Sequence, residues 1–290
     1  MRARLDRRAF HRWDTTFPGR CVGSFLSLQG LDRATAIAAQ AFTALIPLLL
    51  LVSALAPADR RDLVSDAIID RFGLTGSAAE AVGTLFARPG EASIGILSVV
   101  LLIFSGVSFT RRLQRMYLQT WRLEPIRGVR GSLNAAVGLA TLLLEIGLLS
   151  LARGLVEGLP FGWVLGGPIS VLASLVLWTS VPWLLLDRRI AWRRMLPAGA
   201  LTAVAASAYG VASTVYMPRL METYSERYGL FGVTVALVGW LLCIAVVVVA
   251  TTVVAAEFDR AQEPWARHLR ARLGLEPAGR PVDVPEHSGV

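Results

Sequence analysis

Charge is nearly absent from six stretches of the chain, at about 34–58, 92–110, 131–152, 158–186, 195–218 and 228–256. Each is close to or above the ~20 apolar residues that a helix needs to cross ~30 Å of hydrocarbon. The pattern therefore predicts an all-α fold, a polytopic membrane protein built as a six-transmembrane-helix bundle. Between the first two stretches, residues 59–91 change period. Val64, Ile68 and Phe72 recur every fourth residue among acids, as in an amphipathic helix. "TGSAAEAVGTLFARPG" then opens on Ser77-x-x-Glu80, a capping-box pattern, and stops at Pro89-Gly90. Two short helices forming a small cap outside the membrane are expected there. Beyond the last span, Trp265, Leu269 and Leu273 make one stripe on a basic helix of the 257–290 segment, suited to an inner membrane surface. The last fifteen residues, with Pro277, Pro281 and Pro285, read as a disordered tail.

Counting arginines in the connections sets the orientation. Segments 1–33, 111–130, 187–194 and 257–290 carry 22, against 7 in 59–91, 153–157 and 219–227. The excess alternates correctly for six crossings and predicts both termini in the cytoplasm. An Ala54-x-Ala56 pattern follows the first apolar run, but that run is too long and too far from the start for a typical signal peptide.

Composition agrees with a membrane protein. Of 290 residues, 54% are hydrophobic and 17% charged, where a soluble domain carries about 25% charged residues. The net charge is +8 and every basic residue is Arg. Without Lys there is no Walker A loop and no Schiff-base chemistry, so no nucleotide site is expected. Cys21 and Cys243 are too few and too distant for a disulfide framework, and Cys243, inside an apolar run, reads as a small core residue. His11, His268 and His287 all lie in terminal segments with no metal-ligand spacing. No enzyme, metal or cofactor is expected.

The high pI raises nucleic-acid binding, but the placement of the arginines argues for lipid. Arg111, Arg112 and Arg115, and Arg188, Arg189, Arg193 and Arg194, flank span ends and are interleaved with Trp121, Trp183 and Trp192. Topology signals and interface anchors account for such clusters, and a lipid-headgroup pocket is the functional alternative. Membrane lipids are the expected partners, with no nucleic acid. In the fourth span Gly158, Gly162 and Gly166 repeat every four residues. That ridge suits close helix packing within one bundle, a homo-oligomer seam, or a substrate groove. One carboxylate, Glu145, lies within the third span, past its middle and about two turns from the outer end. An ionisable group inside a span is a functional candidate; the structural alternative is a glutamate hydrogen-bonded to a Ser or Thr of the fifth span.

Three stretches carry a resemblance. "AAQAFTALIPLLLLVSAL" (38–55), "SGVSFTRRLQRMYLQTW" (105–121) and "YGLFGVTVALVGWLLCIAVVVVATTVVAAEFDR" (228–260) resemble the signature regions of the YihY/BrkB family. These are six-span bacterial inner-membrane proteins, formerly misnamed ribonuclease BN. The matching positions are Pro47, the Arg112–Arg115 run with Trp121, Tyr228, Gly229, Trp240 and Glu257. Where the family often has a tyrosine pair and a serine before the proline, this chain has Ala39, Gln40 and Ala44. The resemblance implies a plasma-membrane protein linked to envelope integrity. Glu257, at the boundary of the sixth span, is expected to be capped by an Arg such as Arg112 or Arg115. Two functions follow as expectations. The first is movement or gating of an amphipathic, lipid-like substrate across the inner membrane, not ATP-driven by this chain. The second is a non-transporting envelope scaffold that binds partners through the 59–91 cap.

Overall fold

A computed structural model of the chain describes residues 16–55, 63–85, 94–126, 128–157 and 162–275. The 276–290 tail and Gly158 lie outside the described residues. All regular structure among those described is helical: α1 Phe17–Ser27, α2 Gly30–Leu55, α3 Leu63–Phe72, α4 Gly76–Leu85, α5 Ile94–Thr120, α6 Gly128–Glu157, α7 Gly162–Leu185, α8 Trp192–Tyr228, α9 Leu230–Arg260 and α10 Pro264–Arg272. Helices α8 and α9 are clearly long and apolar enough to cross a membrane.

The six long helices form a ring. Each of α2, α5, α6, α7, α8 and α9 packs on the next, and α9 closes back on α2. Helix α5 also touches α7 and α9, so it leans across the ring. Apolar side chains face outward along it, including Phe104 at 78% exposure, Val204, Val211 and Phe231. So much exposed hydrocarbon is foreign to the surface of a soluble monomer. Cys243 is also exposed, on α9, rather than in the core; an apolar run does not distinguish the faces of a helix that is apolar all round.

Burial concentrates at the two ends of the ring. At the basic end, Ile37, Met116, Tyr117, Leu185, Met195 and Val249 belong to one cluster. At the other end, Phe72, Leu74, Ala78 and Val82 of the cap pack on Met217, Met221, Val233 and Leu237 of the α8–α9 hairpin. Ser77 lies inside α4 rather than at its N-cap, and its hydroxyl meets that of Ser225 at 3.0 Å. The hairpin turns at Gly229, whose φ of 57° and ψ of −138° suit only glycine.

Two helices run ten residues past their predicted ends. Helix α5 continues from Thr110 to Thr120 because Leu113, Met116 and Tyr117 keep one buried face through the arginine run. Helix α8 passes through Pro218 to Tyr228. Proline deletes one donor, while Met217, Met221 and Ser225 hold the last turns against the cap.

Candidate functional site at the basic end of the bundle

The last turn of α9 supplies Glu257, Asp259 and Arg260. Apolar residues precede them on every face, so the helix delivers these charges at one level, where α1, α5, α8 and α10 converge. Glu257 is 5% exposed. Its Oε1 accepts from the Ser24 hydroxyl at 2.6 Å and from the Arg260 guanidinium at 2.8 Å. Its Oε2 lies 3.9 Å from Arg20. The expected partners Arg112 and Arg115 are not the ones used: Arg112 instead donates to Gln40 Oε1 at 3.3 Å, on an exposed surface. Both belong to exposed faces of α5, whereas Arg260 is one helical turn from Glu257.

Around Glu257 the charges interlock. Arg20 bridges onward to Glu263, and that hydrogen bond holds the Glu263 carboxyl below its ordinary value. Arg194, at the start of α8, grips Asp259 with two nitrogens. Arg270 of α10, 6% exposed, donates to the carbonyls of Phe258, Asp259 and Ala261 and so caps α9. Arg260 donates at 3.2 Å to the Thr120 carbonyl at the end of α5. Burial pushes the Cys21 thiol up, and the charge of Glu257 adds to it.

The other predicted basic residues take separate places. Arg111 is half-buried, and Arg115 and Arg193 are exposed. Arg188 stacks over the Trp183 ring at 4.9 Å, and Trp183 meets Trp192 edge-on at 5.3 Å. Arg189 donates to the Glu124 carbonyl at 2.9 Å. Arg130 pairs with Asp187 at 2.8 Å. Burial alone would raise the Asp187 carboxyl, but hydrogen bonds from Asn134 and Arg130 outweigh it and hold it low. Trp121 is buried among the core residues rather than standing out as an interface anchor, and its indole N–H has no acceptor among the described residues.

Glu145 sits apart, between α6 and α7. The Ser180 hydroxyl donates to its Oε1 at 2.5 Å, while its Oε2 is buried without a partner. The partner is thus on the fourth apolar stretch, not the fifth, because α6 packs on α7. Along its own helix Glu145 is the 18th of 30 residues, just past the middle and about 18 Å from the end at Glu157, because α6 runs on beyond the apolar stretch. Ser180 is five residues, about 8 Å, from the last residue of α7. Gly162 and Gly166 lie in the first turns of α7, away from Ser180. Pro47 is within α2. Tyr228 is exposed beside the Gly229 turn, and Trp240 packs edge-on against Phe72 of the cap at 5.7 Å.

Sequence reading missed Arg20, Ser24, Asp259 and Arg260. The only signal was the Glu257-x-Asp259-Arg260 cluster directly after the last apolar run. Among the described residues, no group of three or more His, Cys, Asp or Glu could hold a metal ion.

Comparison with known proteins places these features in a family. Residues 22–272 match the family model described as "Virulence factor BrkB". A protein of Janthinobacterium sp. (strain Marseille), named UPF0761 membrane protein, is 28% identical over 185 residues, covering 58% of this chain and 42% of that protein. The match thus spans less than half the length of that relative. No solved structure matches. With the family model covering most of its length, the chain belongs to the BrkB family.

Proposed function

We propose that this BrkB-family chain is a six-span protein of the bacterial inner membrane, with both termini cytoplasmic, that moves or gates an amphipathic, lipid-like substrate. In this reading it is not an enzyme, binds no nucleotide, and has membrane lipids as partners. The apolar outward faces of the ring and the gathering of arginines at one end support the placement in a membrane. Glu145 carries the functional part. It is a carboxylate held between two long helices by a single hydroxyl, with one oxygen left unpartnered. Groups of this kind inside a span line pathways more often than they serve packing. Its position near the middle of α6 suits contact with a polar group that has entered past the arginine rim.

The test is translocation of fluorescent phospholipid in proteoliposomes, comparing wild type with Glu145→Gln at equal incorporation. A charge-assisted contact of about 1.5–3 kcal/mol sets the expected loss at about tenfold or more. Equal rates would remove Glu145 from any pathway. No translocation by either protein, over a range of lipids, would favour the scaffold reading. That reading has its own support in the cap, which is seated firmly enough on α8 and α9 to present a fixed outer surface.

A further inference from the structure

A cavity of about 210 Å³ opens at the basic end between α1, the end of α5 and the end of α9, and none of the residues predicted for lipid binding lines it. Its polar walls are Ser24, Ser27, Gln119, Thr120, Arg122 and Arg260. The volume is several times the ~30 Å³ share of one water.

The hydrogen bonds show which groups are left over. Ser24 donates to Glu257, Ser27 to the Ser24 carbonyl, and Thr120 to the Met116 carbonyl. Arg260 uses both terminal nitrogens, on Thr120 and Glu257, but its Nε–H is buried without an acceptor. The guanidinium of Arg122, an exposed residue, has no hydrogen-bond or carboxylate partner among the described residues, and neither does the side-chain amide of Gln119. What remains is a set of donors, two of them on guanidinium groups, with no acceptor to meet them. The nearest carboxylate, Glu257, is already engaged by Ser24, Arg260 and Arg20. Burial disfavours the Arg260 cation; Glu257 opposes this, and the like charge of Arg122 adds to it. The site is short of negative charge.

Two details sharpen this. The helix ends α5 and α9 would repel an anion by their dipoles, but Arg260 caps the first and Arg270 the second. Arg122 itself has a φ of +54°, a left-handed conformation that favours glycine.

We propose that this cavity binds a phosphate-bearing group, with Arg122 as its main ligand and Gln119 completing the contact, in the field of the Arg260 guanidinium. Guanidinium forks match phosphate oxygens in geometry and charge. Two sources share that chemistry, a phospholipid headgroup and free phosphate. The site stands independently of whether anything crosses the membrane.

The experiment titrates the full chain in detergent micelles with dihexanoyl phosphatidic acid, dihexanoyl phosphatidylcholine and inorganic phosphate, by calorimetry. It compares wild type with Arg122→Gly, and with Arg267→Gln of α10 as a control for lost charge. Glycine relaxes the left-handed backbone, so Arg122→Gly should hold or raise the unfolding temperature while weakening phosphatidic acid about tenfold or more. Arg267→Gln should bind as wild type does. Phosphatidic acid bound at least about tenfold tighter than the other two probes assigns the site to a lipid headgroup. Equal binding of phosphatidic acid and inorganic phosphate, both lost in Arg122→Gly, assigns it to free phosphate. Binding of neither by wild type, or unchanged binding by Arg122→Gly, overturns the proposal. A failure of translocation with binding intact would count against the function above and leave this site standing.

Discussion

Glu257 and Glu145 are both carboxylates carried by long helices of the ring, and they are held in opposite ways. Glu257 has Ser24, Arg260 and Arg20 around it, from two helices and two oxygens' worth of contacts. Glu145 has one hydroxyl on one oxygen and nothing on the other. A buried carboxylate with its lone pairs answered by fixed cations belongs to the architecture, since breaking the set leaves charges stranded. A carboxylate answered only in part is either a standing cost or a place where something else completes the contact. The same contrast recurs among the cations: Arg194 and Arg270 are committed to Asp259 and to helix carbonyls, while Arg122 waits over a cavity. The paired sets around Glu257 and Asp259 tie α1, α8, α9 and α10 together, and the groups without a charged partner mark candidate sites.

The comparison can be broken most directly by stranding a charge in the complete network. Arg194→Ala leaves Asp259, whose side chain is 7% exposed, without its cation. The expected loss is about 3 kcal/mol or more, read as a lower unfolding temperature in micelles. Glu257→Ala should cost a similar amount, by leaving Arg260 without its carboxylate and Ser24 without its acceptor. If either variant melted with the wild type, the network would not be structural and the contrast would fail.

A smaller effect comes from acid. Glu263 is held low by Arg20, and Asp187 by Asn134 and Arg130, which outweigh its burial. A depressed folded value means stability that is present above the unfolded value and lost as pH falls through the folded one. The loss should begin below about pH 4.5, the ordinary value for Glu263, and extend below 3.8 for Asp187. Arg20→Gln should flatten the first part of that profile. Both pairs are partly exposed, so the change should stay near or below about 1 kcal/mol. Unfolding midpoints measured from pH 6 to pH 3 check it.

These contrasts were only partly legible in the sequence. Apolar runs announce themselves by length, so the long helices were readable, and so was the capping pair of short ones. The helix ends were not, because α5 and α8 keep a buried face beyond their apolar stretches and the arginines ride on the other faces. The network was hidden for a different reason. Its contacts join α1 to the other end of the chain, Ser24 to Glu257 and Arg20 to Glu263, and no local period encodes which charges meet. Arg122 gave no signal at all, since its importance rests on a positive φ and on a neighbour 138 positions away. Glu145 was visible as a charge in an apolar run, yet its depth and partner depended on how α6 slides along α7.

The smallest expected effect is the most informative. Glu145→Gln keeps an oxygen that can accept from Ser180 and replaces the unpartnered oxygen with an amide. If Glu145 were one more structural carboxylate, this change should destabilise the ring on the scale of Glu257→Ala. If its second oxygen is open to a moving group, the fold has nothing to lose there. The unfolding temperature should then stay within about 1 kcal/mol of wild type, or rise, because a neutral amide is less costly to bury than a carboxylate. Ser180→Ala sets the scale by removing the one partner and leaving the charge, and it should be the more damaging of the two. A stable Glu145→Gln protein that has lost translocation would tie the incomplete contact to function. A Glu145→Gln protein that melts as early as Glu257→Ala would place both carboxylates in the architecture, and the difference between the two regions would be one of degree alone.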